Sequence, residues 1–215
     1  MKNELILNSH NYKIKNEVWS AITHGIGLII AIIEFIFLIN KTINTNIITF
    51  FSYITFGISL IILYFFSMIY HCLSFTKSKH IFQIFDHISI FILIGGSYTP
   101  FCLTIIGGQK GNYLFLIIWI LCIIGIIYKI FWLGKFKKIE TILYIILGWT
   151  SLIVIKPIWH VIQTKGVIFL LLGGITYTLG TLIYANKNIL YSHVIWHIFV
   201  LIGSSFIFMS LYSSI

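Results

Sequence analysis

IITFFSYITFGISLIILYFFSMIYHC, residues 47–72, contains no Asp, Glu, Lys or Arg along its whole length. A helix needs about 20 consecutive apolar residues to cross a hydrocarbon core about 30 Å thick. This stretch is long enough, and it has nothing that would hold it in water. Its one imidazole, His71, lies at its far end. Ser67 precedes it by one helical turn, so hydroxyl and imidazole share a face.

Similar runs occupy the rest of the chain. The expected spans are 18–39, 47–72, 82–106, 112–133, 139–155, 166–185 and 189–212, separated by NKTINTN, SFTKSKH, GGQKGN, GKFKK, KPIWHVIQTK and NKN. The fifth is the shortest and is expected to end at Lys156-Pro157. Of 215 residues, 59% are hydrophobic and 9% charged, against roughly 25% charged in an ordinary soluble domain. The expectation is an all-α, polytopic seven-transmembrane bundle. Residues 1–17 would form a polar tail and 18–215 a single membrane domain. The tail lacks the apolar stretch and small-residue cleavage site of a secretory signal.

The net charge of +9 comes from lysines scattered through short loops. That pattern suits anchoring to anionic lipid headgroups and argues against a nucleic-acid partner. The same lysines give a direction. Lys2, Lys13, Lys15, Lys77, Lys79, Lys135, Lys137, Lys138 and Lys187 fall on one side, where Lys129 can also snorkel. Lys41, Lys110, Lys156 and Lys165 fall on the other. The positive-inside rule then places the N-terminus in the cytoplasm and the C-terminus outside. Cys72, Cys102 and Cys122 read as buried free thiols.

Ionisable residues inside a membrane are costly and mark functional sites by default. In the direction just given, Glu17 sits at the mouth of the first span and His24 in its first two turns. Ser67 and His71 end the second, Asp86 and His87 open the third, and His193 and His197 open the seventh. All fall within roughly 5–12 Å of the cytoplasmic surface at 1.5 Å rise per residue. His193 and His197 are four apart and share a face. A catalytic zinc site typically takes three protein ligands and keeps a fourth position open. The expected ligands are His71, His193 and His197. Asp86 is the expected carboxylate beside them, and His24 and His87 are candidate supporting residues. His10, His80 and His160 read as solvated, and Glu34 as reaching the outer interface.

EVWSAITHGIG at 17–27, SMIYH at 67–71, FDHISIFILIGGSYTPF at 85–101 and SHVIWH at 192–197 together resemble the hemolysin III-related family. This is the bacterial branch of the progestin and adipoQ receptor (PAQR) proteins. The resemblance runs over essentially the whole chain. It implies a seven-helix bundle in a bacterial inner (plasma) membrane, and zinc held by His71, His193 and His197. The family's serine and aspartate match Ser67 and Asp86. It also implies membrane lipids as partners and points to hydrolysis of a lipid amide or ester, since eukaryotic relatives are associated with ceramidase activity. Ser67 and Asp86 would then be catalytic: the hydroxyl would donate to a developing oxyanion and the carboxylate would take up a proton. Two other readings stand beside this one. The hemolysin name suggests a pore-forming, cytolytic protein. Receptor activity among eukaryotic relatives suggests a non-catalytic or sensory protein with structural zinc.

Overall fold

The computed structural model describes residues 7, 9–135, 137–186 and 188–215, without side chains at 137–141. Of the residues used above for direction, Lys2, Lys187 and the side chains of Lys137 and Lys138 lie outside the described residues. Among the described residues there are helices and turns and no strand.

The elements are α1 (His10–Thr42), α2 (Ile47–Cys72), α3 (Lys79–Pro100, continued by a π-helix Phe101–Ile106), α4 (Gly108–Trp132), α5 (Lys137–Trp149, continued by a 3₁₀ turn Thr150–Val154), α6 (Ile155–Ala185) and α7 (Ser192–Tyr212). Among the described residues, six stretches are long and apolar enough to cross a membrane; the fifth of them extends from Ile142 to Ala185.

Local chemistry explains where these helices begin and bend. The Ser9 hydroxyl accepts from Tyr12 N–H at 3.3 Å, and Asn46 Oδ1 accepts from Thr49 N–H at 3.0 Å. Both are N-caps that satisfy an otherwise orphaned amide. The first helix therefore starts eight residues ahead of the span drawn from the sequence. At Pro100 the missing N–H breaks the α-type ladder. The chain continues with wider π-type turns that close with Gly107 N–H on Cys102 O at 3.0 Å. Gly107 then turns the chain with φ 62° and ψ −178°, a conformation that disfavours any side chain.

The polar break expected at KPIWHVIQTK is largely helical. α6 begins at Ile155 and places Pro157 in its first turn, where a missing N–H costs little. The interruption falls instead at Gln163, with φ 57° and ψ −176°. The earlier break, after Trp149, is stitched by Tyr98. Its hydroxyl donates toward Leu147 O at 2.8 Å or Gly148 O at 3.1 Å, and it accepts from Ser151 N–H at 2.8 Å. Orphaned backbone groups at the end of α5 are thereby satisfied by α3.

Three helices, α1, α2 and α7, bring together His24, His71, His193 and His197. The buried face of α1 is a narrow line: Ser20, His24, Gly27, Ala31, Glu34, Leu38 and Thr42. These recur every three or four residues, as one helical face requires. At Gly27 a Cβ would lie 2.5 Å from the Tyr64 ring, so α1 approaches α2 through a residue with no side chain. Tyr64 O–H and Ser204 Oγ share a hydrogen bond of 2.6 Å that ties α2 to α7.

Three expectations are corrected. Glu34 does not reach the outer interface. It is 7% exposed, on the inward face of α1, beside the Ser205 hydroxyl. Lys129 does not snorkel to the surface. It is 1% exposed, and its ammonium lies 5.9 Å from the centre of the Tyr144 ring. That ring offers a cation a favourable face within the protein. Cys72 is exposed at the end of α2, while Cys102 and Cys122 are buried; all three are free thiols.

Candidate metal centre

His71 comes from the last turns of α2, and His193 and His197 from the first turns of α7. Their ring centroids are 4.9 Å (His71–His193), 4.9 Å (His71–His197) and 4.6 Å (His193–His197) apart, with interplanar angles of 80°, 67° and 87°. Rings set edge to face around a common point aim their nitrogens inward. One ligand atom from each lies within 4.8 Å of the other two. Nitrogens 2.0–2.1 Å from a tetrahedral zinc are about 3.3 Å apart, so small ring movements would close the set.

The outer nitrogens are held in ways that decide the tautomers. Glu17 Oε2 accepts from His71 Nδ1 at 2.6 Å. The His71 side chain is fully buried, and the Glu17 side chain is 20% exposed. His197 Nδ1 lies 3.1 Å from Ser20 O and 3.3 Å from Thr23 Oγ1. A carbonyl only accepts, so His197 Nδ1 carries the hydrogen. In both residues Nδ1 carries a proton, which leaves Nε2 as the lone-pair nitrogen of the neutral ring. His71 Nε2 is buried and has no hydrogen-bond partner. Burying a polar atom with nothing to bond is costly. A metal ion among three neutral imidazoles would supply the missing partner, and a proton-accepting group behind a ring is the usual support for such a ligand. The three imidazoles could together hold a metal ion.

The remaining polar residues surround this set. Ser67, one turn before His71, is 1% exposed, and its Oγ has no hydrogen-bond partner. Asp86, at the start of α3, is close enough to His71, Ser67, Lys129 and Glu17 to interact electrostatically with each. His24 stacks on His197 with centroids 3.5 Å apart and planes at 15°. It is 3% exposed, and neither ring nitrogen has a partner. Tyr184 packs edge-on against His193 at 5.2 Å. His87 is half-buried on α3. His10, His80 and His160 are exposed.

Sequence reasoning gave Glu17 no role, yet it supplies the carboxylate that orients His71. Its signal was present: residues 17, 20 and 24 lie at i, i+3 and i+7, one face of α1 aimed at the histidines. Ser20 contributes a backbone oxygen, which no side-chain pattern reveals.

The whole arrangement lies within the region that matches a known family. The family described as Haemolysin-III related matches residues 12–208. The chain is 40% identical over 201 residues to the Hemolysin-3 homolog of Bacillus subtilis (strain 168), covering 92% of this chain and 93% of that one. It is 40% identical over 198 residues to Hemolysin-3 of Bacillus cereus, covering 91% and 90%. A more distant likeness, 28% over 151 residues, is to the human monocyte to macrophage differentiation factor, covering 67% and 62%. With its helices, its clustered histidines and nearly its full length accounted for in this way, the chain belongs to the haemolysin-III related family of membrane proteins.

Proposed function

We propose that the protein is a zinc-dependent hydrolase of lipid amides or esters in a bacterial plasma membrane. It has seven spans, with its N-terminus in the cytoplasm. The observation that carries this reading is the buried, unbonded His71 Nε2 within reach of His193 and His197. Zinc bound by three neutral imidazoles supplies Lewis acidity and makes water a competent nucleophile near neutral pH.

The chain's own residues divide the remaining work. Glu17, through His71 Nδ1, and Ser20 O, through His197 Nδ1, keep both imidazoles in the ligating tautomer. Ser67 Oγ, buried and uncommitted, donates to the carbonyl oxygen of a lipid as charge develops there. Asp86 accepts the proton released from water and returns it to the leaving group. His24 walls the site on its α1 side. Seven spans and the stated direction agree with the break at Gln163 and with the lysine distribution. The Ile142–Ala185 stretch is 44 residues long, and as a straight helix it would reach about 66 Å, about twice the hydrocarbon thickness.

Pore formation is the second reading, because the word hemolysin stands in the names of two relatives. Ala31, Leu38, Phe56, Leu60 and Leu211 are fully buried in the bundle. Such packing leaves a pore to an assembly of several copies.

The test is hydrolysis of defined lipids by purified protein in vesicles. Ser67→Ala is expected to retain zinc and lose activity by about 10²-fold or more, as for loss of an oxyanion donor. Wild-type protein with full zinc and no hydrolysis of any lipid amide or ester contradicts the enzymatic reading.

A further inference from the structure

A second polar group lies farther into the bundle than the histidines, and the chemistry above leaves it idle. Glu34 is the one acid in the α1 run LIIAIIEFIFLI, residues 28–39. It follows His24 by ten residues, about 15 Å along the helix. The side chain is 7% exposed, and Ala31 and Leu38, a turn before and a turn after, are both 0% exposed. Ala31 and Leu38 belong with Tyr64 and Ile207 to one packed core.

Hydroxyls approach the carboxyl from three other helices. Ser205 of α7 lies beside it. Tyr64 of α2 and Tyr177 of α6 are close enough to interact with it electrostatically. Ser204 lies beside Tyr177 and shares the 2.6 Å bond with Tyr64. Ser204 Oγ donates its own hydrogen to Leu201 O at 3.0 Å, so the hydrogen in the Tyr64 bond is the phenol's. The Tyr64 oxygen has only lone pairs left to offer.

No positive charge answers Glu34. Among the described residues no lysine or histidine nitrogen forms an ion pair with it. Lys41, two turns on along α1, holds its ammonium 4.9 Å from the centre of the Tyr212 ring. A carboxylate in the membrane core is costly unless it is paired or binds an ion. One carboxylate calls for one positive charge. Glu17 and Asp86 are gathered near His71, so a divalent ion at Glu34 would leave a net positive charge in the core. The packed core around α1 suits an ion without a carbon skeleton.

We propose that Glu34 is the centre of a second binding site, within the membrane core, for one monovalent inorganic cation: a proton or sodium. Its carboxylate holds the ion, with the hydroxyl oxygens of Tyr64, Tyr177 and Ser205 around it. The proposal needs neither the zinc nor the hydrolytic reading.

The test is isotope-edited infrared spectroscopy of the whole chain in phosphatidylcholine nanodiscs, with heavy carbon in the glutamate side-chain carboxyls only. Asp86 is then silent, and a neutral carboxyl and a carboxylate give separate bands. Spectra are taken at neutral pH in sodium chloride and, at equal ionic strength, in choline chloride. If the ion is a proton, a neutral-carboxyl band equivalent to one residue per chain is expected in both salts. If it is sodium, that band is expected in choline and is replaced by a carboxylate band in sodium chloride. Glu34→Gln is expected to lose the neutral band in either case. Glu34→Asp, with unlabelled aspartate, makes the same assignment if Glu34→Gln fails to fold. Labelled carboxylates that stay ionised in both salts, or a neutral band that survives the substitutions, overturn the proposal.

Discussion

Glu17 is the residue on which the chemistry of His71 turns. Among the described residues it is the side chain bonded to the imidazole's outer nitrogen, at 2.6 Å. Replacing it with Gln keeps the shape and removes the charge. Loss of such a supporting partner typically weakens metal binding by about 10- to 100-fold. The expected outcome is that Glu17→Gln folds normally and binds zinc more weakly by that factor, measured by competition with a chromophoric chelator. Unchanged affinity would mean that Glu17 is not part of the site. The histidine pair His193 and His197 was legible in the sequence because i, i+4 spacing fixes a shared face. Lys129 and Glu34 were misjudged for the opposite reason. Sequence position gives depth along a helix, but the direction a long side chain takes depends on which neighbour receives it. Here the neighbours are Tyr144 for Lys129 and Ser205 for Glu34.

At the scale of elements, the site exists because α1 lies close against α2. That closeness depends on Gly27, where a Cβ would come within 2.5 Å of the Tyr64 ring. Gly27→Ala is expected to destabilise the protein by about 1–3 kcal/mol through overpacking, read as a lower midpoint of thermal unfolding in detergent. An unchanged midpoint would show that the interface adjusts freely. Tyr98 has a comparable duty at the other side of the bundle. Tyr98→Phe removes the hydroxyl that serves Leu147 O, Gly148 O and Ser151 N–H. The expected cost is about 1–3 kcal/mol, with faster amide hydrogen exchange at Ser151 and unchanged zinc affinity. Helices α1 to α4 and α7 were readable from apolar run length, since each is bounded by polar or glycine-rich turns. The α5–α6 region was not. Its polar stretch KPIWHVIQTK tolerates a helix, because Pro157 falls in a first turn and the interruption is a single residue, Gln163.

Across the whole molecule, helices that meet at the histidines should depend on the ion for part of their stability. A ligand at about 1,000 times its dissociation constant stabilises by about 4 kcal/mol. Chelation is therefore expected to lower the unfolding midpoint of the wild type and to leave that of His193→Ala unchanged. An equal fall in both would assign the effect to the chelator. The most direct test of the account is the metal content of protein purified from membranes, measured for the wild type and for His71→Ala. The account predicts stoichiometric zinc in the wild type and essentially none in the variant. Wild-type protein without zinc, or a variant that keeps it in full, would contradict the account at its centre.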